Sequence, residues 1–246
     1  MKRFFSIGGI TIVMACAVIA NLVMAVHADD ARKPAARAAN FTSGTDTAAK
    51  FGVHEIVLTG DGSVANPFDT LATVKFVPPS GEKNAKTVWA FYDGETIWRA
   101  RVYASETGEW SWSSTCDTDA GLHGKSGKFQ CKASKLRGRL LIHPKNPRQW
   151  MTEDGRWFLN LNDTSYYLLC SHDGVGNPVP DEDVRAYVKD ATSRGITSFR
   201  SFIANESQSF VGPGNSDRHR WNELFADKEM TRPDLNHLRV ADKRLR

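Results

Sequence analysis

Between Ile97 and Cys116 the chain alternates so strictly that it admits one backbone conformation. Trp98, Ala100 and Val102 fall on one side of the register, while Arg99, Arg101 and Tyr103 fall on the other. After Gly108 the pattern resumes, with Trp110 and Trp112 opposite Ser111 and Ser113. A period of two is that of a β-strand with one face packed and one face solvated. Two such strands carrying three tryptophans need a facing apolar sheet. The tryptophans therefore belong to the core of a sandwich or to a strip that stacks on sugar rings. Sharing a face with Ala100 and Val102 favours the core, which leaves Tyr92 and Tyr103 as the better exposed aromatics.

The surrounding sequence extends the same pattern. Val53–Leu58, Leu71–Val77, Thr87–Phe91 and Gly127–Cys131 are short β-type runs. They are divided by Thr59-Gly60-Asp61-Gly62, Pro78-Pro79-Ser80-Gly81 and Tyr92-Asp93-Gly94-Glu95. About seven strands with turns every eight to twelve residues predict an antiparallel, immunoglobulin-like β-sandwich over residues 50–133. Residues 29–49, rich in Ala, Ser and Thr, are expected to be a linker. Residues 134–152 are expected to be a connector, since Leu136–Met151 holds two prolines and no period.

From residue 153 the pattern changes. Trp157–Leu161 reads as an apolar strand ending in Asn162-Asp163-Thr164. Pro180–Arg194 reads as a helix, with Asp181, Glu182 and Asp183 at its positive end and Gly195 as its stop. Ile196–Ile203 reads as a second strand. Pro233–Arg246 reads as a second helix with Leu235, Leu238, Ala241 and Leu245 on one face. Strand, helix, strand, helix makes two β/α units, where a closed barrel needs eight. The predicted architecture is a sandwich followed by the first two units of an incomplete (β/α)8 barrel over residues 153–246, as in a chain cut off inside a larger domain.

Residues 1–28 carry the marks of an export signal: Lys2-Arg3, the apolar run Ile10–Ala20 broken by Thr11, and Val26-His27-Ala28 before Asp29-Asp30. An uncleaved anchor is the alternative, because Phe4–Val26 is nearly long enough to span a bilayer; a membrane is expected as a partner only in that case. Asn21 and the small residues at the end of the segment favour cleavage. A lipoprotein reading through Val13-Met14-Ala15-Cys16 is weaker, since the apolar run continues past the cysteine. The expected location is periplasmic, extracellular or cell-surface. In an oxidising compartment Cys116 and Cys131, at the ends of neighbouring strands, either bridge or stay reduced, and Cys170 is left as a small buried residue.

Composition narrows the function. Of 246 residues, 41% are hydrophobic and 24% charged, an ordinary globular balance. The net charge is +4, of which Lys2 and Arg3 supply two, and the remaining basic residues are scattered. No basic stripe with interleaved aromatics occurs, so nucleic acid is not an expected partner. No C-x-x-C or H-E-x-x-H spacing occurs, so neither a metal nor a cofactor is expected.

Several motifs carry a family resemblance. Asn66-Pro67-Phe68, Phe91-Tyr92-Asp93-Gly94, Trp98-x-Ala-Arg-Val, Thr107–Trp112 and Gly124-x-x-Gly127-x-Phe129-x-Cys131 make residues 50–133 resemble the N-terminal sandwich called domain of unknown function 5060. Gly138-Arg139-Leu140, Asp154–Leu159, Asn162–Tyr167 and Arg194–Thr197 make residues 137–246 resemble the opening of an apiosidase-like or cellulase-like glycoside hydrolase barrel. The resemblance implies action on a polysaccharide or oligosaccharide. Glycoside hydrolysis needs two carboxyl groups roughly 5–9 Å apart, and the resemblance puts these on the fourth and seventh barrel strands. By their place at or near the two strand ends present, Asp163, Tyr166, Tyr167, His172, Arg200 and Asn205 are the candidate substrate contacts. The resemblance puts Asp163-Thr164 at the pocket floor and Arg200 where related barrels place an arginine that hydrogen-bonds a catalytic carboxylate. Glu206 is the one catalytic candidate. Asp163 could equally cap its turn, Arg200 could serve a structural ion pair, and Glu206 could be an ordinary solvated loop residue. A chain of this kind is expected to be inactive as a hydrolase. The alternative is a non-catalytic glycan-binding or adhesion protein that uses the sandwich.

Overall fold

A computed structural model describes residues 41–173, 177–203, 224–227 and 231–246. The export segment, Asn205 and Glu206 lie outside the described residues. Five strands fall where the alternation predicts them: β3 (Val53–Thr59), β4 (Ala72–Val77), β7 (Ile97–Tyr103), β8 (Gly108–Cys116) and β9 (Ser126–Lys132). The run Thr87–Phe91, expected as one strand, breaks at Ala90 into β5 (Lys86–Trp89) and β6 (Phe91–Tyr92) in different sheets. Two more, β1 (Phe41–Ser43) and β2 (Thr47–Ala49), come from the predicted linker. The linker expectation fails there, because β1 pairs parallel to β3 and β2 pairs parallel to β9. The sheets are ordered β1-β3-β7-β6 and β2-β9-β8-β4-β5. The sandwich is thus antiparallel in its interior and parallel at one edge of each sheet, with the chain passing between sheets from Ser43 to Thr47.

The core is built as the alternation requires. Trp98, Ala100 and Val102 from β7 and Ile56 and Leu58 from β3 meet Ala72, Val74 and Phe76 from β4 and Trp110 from β8. Trp110 stacks on Phe129 of β9 at 5.7 Å and donates its Nε1–H to the Glu106 carbonyl at 2.9 Å. His54 also faces inward, 3.9 Å from the Phe129 ring centroid, and burial pushes its imidazole below the usual histidine range despite neighbouring Glu55. Trp112 is half-buried and lies flat over Gly127, where an added Cβ would come within 2.8 Å of the indole.

Cys116 and Cys131 are buried free thiols. Of the two alternatives, bridged or reduced, the direction of the ladder leaves the reduced one. Cys131 pairs with Gly108, eight positions along β8 from Cys116, which is about 26 Å at the rise of a strand. Disulfide Cα atoms lie within about 7 Å of each other.

The second region departs further from expectation. β10 (Leu140–Ile142), β11 (Trp150–Thr152) and β12 (Trp157–Phe158) form an antiparallel meander out of the predicted connector and the start of the predicted strand. The parallel pair comes later and is shorter, β13 (Asn162–Thr164) with β14 (Ser198–Arg200). Between them lies α1 (Asp181–Ser193), and near the C-terminus α2 (Leu235–Leu245). The chain is mostly β, with two helices among the described residues, one inside a β–α–β crossover; two parallel strands by themselves do not define a barrel. Asp234 caps α2 by accepting from the Asn236 and His237 amides. Its packed face is His237 and Ala241, whereas Leu245, expected on that face, is 64% exposed.

The face of β7 expected to be solvated is instead an interface. Glu55 of β3 is fully buried there and accepts from Ser43 Oγ at 2.6 Å, Arg101 Nε at 2.7 Å and Arg99 Nη1 at 2.8 Å. Arg101 spends its other two nitrogens on both carboxylate oxygens of Asp242 in α2, at 2.6 and 2.8 Å. Arg99 bonds Asp93, which also takes Arg239 of α2 at 2.9 Å. A bidentate guanidinium–carboxylate pair fixes orientation as well as distance, so α2 is keyed onto the outside of the sandwich. Tyr103 anchors the meander in the same way, donating to Glu153 at 2.5 Å beneath Arg139. Arg139, helped by Tyr103, holds the Glu153 carboxyl at about 2. Gly138 passes so close that a Cβ would lie 2.6 Å from that of Glu153, at a φ of +77°.

Two expectations follow. Burial opposes ionisation of Glu55, but the bonds from Ser43, Arg101 and Arg99 outweigh it and hold the carboxyl below its usual range. A depressed carboxyl stabilises the fold above its unfolded pKa and loses that contribution as pH falls through the folded value. Glu55→Gln should therefore lose about 2 kcal/mol in urea unfolding at pH 7, less than a fully buried pair would because both arginines are partly solvated. The gap from wild type should narrow as the pH is lowered below about 4. The second expectation is that a reductant leaves the melting temperature of the folded chain unchanged, as two distant free thiols require.

Candidate functional site

In parallel register Asn162 pairs with Ser198, Asp163 with Phe199 and Thr164 with Arg200. Paired residues share a face, and the faces alternate along the strand. Asp163 and Phe199 meet α1: the Tyr187 hydroxyl donates to Asp163 Oδ2, and the Tyr187 ring lies 6.1 Å from that of Phe199. The Ser165 hydroxyl donates to Tyr187 in turn. The hydrogen bond to the Asp163 carboxylate raises the Tyr187 pKa, since losing the phenolic proton would set two anions against each other. Asp163, expected to contact sugar, is thus occupied in joining strand to helix.

The opposite face carries Asn162, Thr164, Ser198 and Arg200. Asn162 Nδ2 donates to Ser198 Oγ at 3.1 Å, and Ser198 Oγ donates to Asn160 Oδ1 at 2.5 Å. The Arg200 guanidinium lies 6.0 Å from the Tyr166 ring centroid, and Tyr166 stacks on Phe202 at 4.9 Å. Tyr166 is 43% exposed, and Tyr167 stands edge-on to it at 6.4 Å. The structure thus brings together Tyr166, Tyr167 and Arg200, with Asn162 of the expected strand end beside Asn160 and Ser198, two hydrogen-bonding neighbours that the sequence did not single out. The strand boundaries explain the omission, because strands over Trp157–Leu161 and Ile196–Ile203 put Asn160 and Ser198 inside the strands rather than at their ends. His172 is half-buried and forms an isolated bridge with Pro178.

α2 holds both loops that leave these strands. Arg244 has a side chain only 6% exposed and donates to the carbonyls of Cys170 at 2.5 Å, Val179 at 2.6 Å and Leu168 at 3.3 Å, and to Asp181 at 2.9 Å. Lys243, with Arg244, holds the Asp181 carboxyl at about 2. His237 touches Ser171 Oγ at 3.2 Å on one loop and the Ile203 carbonyl at 2.5 Å on the other. The arrangement offers an exposed aromatic ring, a cation and amide and hydroxyl groups, which is the equipment of a sugar-contacting surface. Asp163 is the only carboxylate carried by the two strands. Among the described residues no group of three or more His, Cys, Asp or Glu side chains is placed to hold a metal ion.

Residues 47–117 match the family described as Domain of unknown function (DUF5060), from β2 to the end of β8. No curated protein matches the sequence. Among solved structures, the chain is similar to the crystal structure of a "putative glycoside hydrolase" from Bacteroides vulgatus ATCC 8482. The TM-score is 0.62 at 21% identity, over 82% of this chain and 39% of that one. The solution structure of Amebosin is 16% identical over 38% of this chain and 94% of that one; its TM-score of 0.18 carries no argument. The chain therefore spans well under half the length of the Bacteroides protein, and at this identity the likeness is one of fold.

Proposed function

We propose that this is an exported, carbohydrate-active protein, in which a sandwich of the DUF5060 kind leads into the opening of an apiosidase-like or cellulase-like glycoside hydrolase barrel. The observation that carries the reading is the β13–α1–β14 crossover. It sets Asn162 and Arg200 on the face turned away from the helix, with Arg200 and the following Tyr166 at the C-terminal strand ends where barrels of this architecture bind substrate. The fold likeness to the Bacteroides protein supports the same reading. Export rests on Lys2-Arg3, the apolar run and Val26-His27-Ala28. No helix among the described residues is long and apolar enough to cross a membrane.

The proposed role is to hold a polysaccharide or oligosaccharide, not to cleave it. Hydrolysis calls for a proton donor and a second carboxylate across the scissile bond, and the one carboxylate that β13 and β14 supply is tied to Tyr187. The expected result for the 246-residue chain is retention on one or more polysaccharides with no release of reducing sugar. Sugar release abolished by Glu206→Gln would overturn the non-hydrolytic part. A chain that neither binds nor cleaves any member of a panel of plant, algal and microbial polysaccharides would overturn the carbohydrate reading.

A further inference from the structure

A second concave surface lies away from the β13–β14 edge, where the outer face of the β1-β3-β7-β6 sheet meets α2. Its volume is about 830 Å³, within the range of sites that hold small organic ligands. On the sandwich side its walls are Phe68, Leu71, Trp89, Phe91 and Tyr92; Leu235 and Leu238 face them from α2. Trp89 is 65% exposed, Leu71 68% and Phe91 40%. These rings differ from the core tryptophans for a topological reason. β5 ends at Trp89 on the outer edge of one sheet and β6 begins at Phe91 on the outer edge of the other, so the crossing buries only Ala90 between them.

The polar lining is mostly cationic. Arg99, Arg101, Arg239, Lys243 and Arg246 border the groove, against the carboxylates Asp93 and Asp242. Buried Glu55 and the more distant Asp181 do not restore balance, since these four anions serve six cations once Arg244, which shares Asp181, is counted. Arg239 and Lys243 are 51% and 64% exposed. Arg239 uses Nε and Nη2 on Asp93, and Lys243 makes a single bond to Asp181. Nη1 of Arg239 and two ammonium protons of Lys243 have no protein partner among the described residues. An exposed indole offers a flat apolar face to the C–H side of a pyranose ring, while unspent guanidinium and ammonium donors pair best with carboxylates.

We propose that this groove binds an acidic oligosaccharide, one whose sugars carry carboxylates, with Trp89 as the stacking platform and Arg239 and Lys243 as the anion contacts. The proposal rests on the carbohydrate reading above but places the ligand on the sandwich rather than at the barrel edge. The test is calorimetric titration of the full chain with oligogalacturonate, and with a neutral cello-oligosaccharide of equal length. Wild type should bind the acidic ligand, and Trp89→Ala should weaken it by about tenfold or more, as truncation of an aromatic anchor does. The Arg239→Gln/Lys243→Gln pair should weaken it severalfold and flatten its salt dependence. All three residues are more than half exposed, so unchanged melting temperatures separate lost binding from lost folding. Equal affinity for the neutral ligand overturns the acidic class. Binding lost in Tyr166→Ala but intact in Trp89→Ala overturns the groove while leaving the carbohydrate reading standing. Dimerisation lost in Trp89→Ala, without sugar binding, overturns it in favour of a protein partner.

Discussion

A carboxylate with no access to water must be surrounded by donors or give up its charge, and Glu55 sets that condition at the middle of the outer sheet face. Ser43, Arg99 and Arg101 meet it. Doing so consumes one nitrogen of each guanidinium in the same plane and leaves the others aimed outward, where Asp93 and Asp242 take them. Asp242 is on α2, so the charge on β3 determines where the last helix lies. α2 then passes the constraint on: Arg244 gathers the carbonyls of the loop after β13, and His237 reaches the chain after β14. The geometry of the Tyr166–Arg200 face thus depends on a residue in the sandwich. Such networks are not strong sources of stability, because desolvation offsets most of the attraction. What this one supplies is orientation.

The legible part of the fold was the part governed by local period. Five strands and the burial of Trp98 and Trp110 follow from alternation and turn residues alone, whereas the sheet change at Ala90 inside Thr87–Phe91 does not. β1 and β2 did not, because three-residue strands in a polar stretch have no period to detect and are held by β3 and β9, which lie elsewhere in the sequence. The meander was hidden by the prolines at 144 and 147, which sit in the loop between β10 and β11. Alternation correctly set Arg99, Arg101 and Tyr103 on the second face but could not say what covers it. The sign was present in Val53–Leu58, where a glutamate shares its face with Val53 and Val57, yet a lone charge in a strand ordinarily points to water.

At the candidate site the residue types were legible and their directions were not. Arg200 and Tyr166 were expected at a strand end and stand together. Asp163 was expected beside them and faces the helix, because the strand begins at Asn162 and a shift in register exchanges the faces. A similar shift of attention separates the tryptophans. In the alternating stretch Trp98 and Trp110 are core and Trp112 is packed half-buried against it, while the one best placed to meet a ligand, Trp89, ends an edge strand.

The Arg101–Asp242 pair above Glu55 orients α2 on the sandwich. A double-mutant cycle with Arg101→Ala, Asp242→Ala and the combination, read by urea unfolding at pH 7, tests it most directly. The account predicts a coupling energy of about 1–2 kcal/mol, as expected for directly bonded residues in one network. Strictly additive effects would mean that the helix is held by something else, and would contradict it.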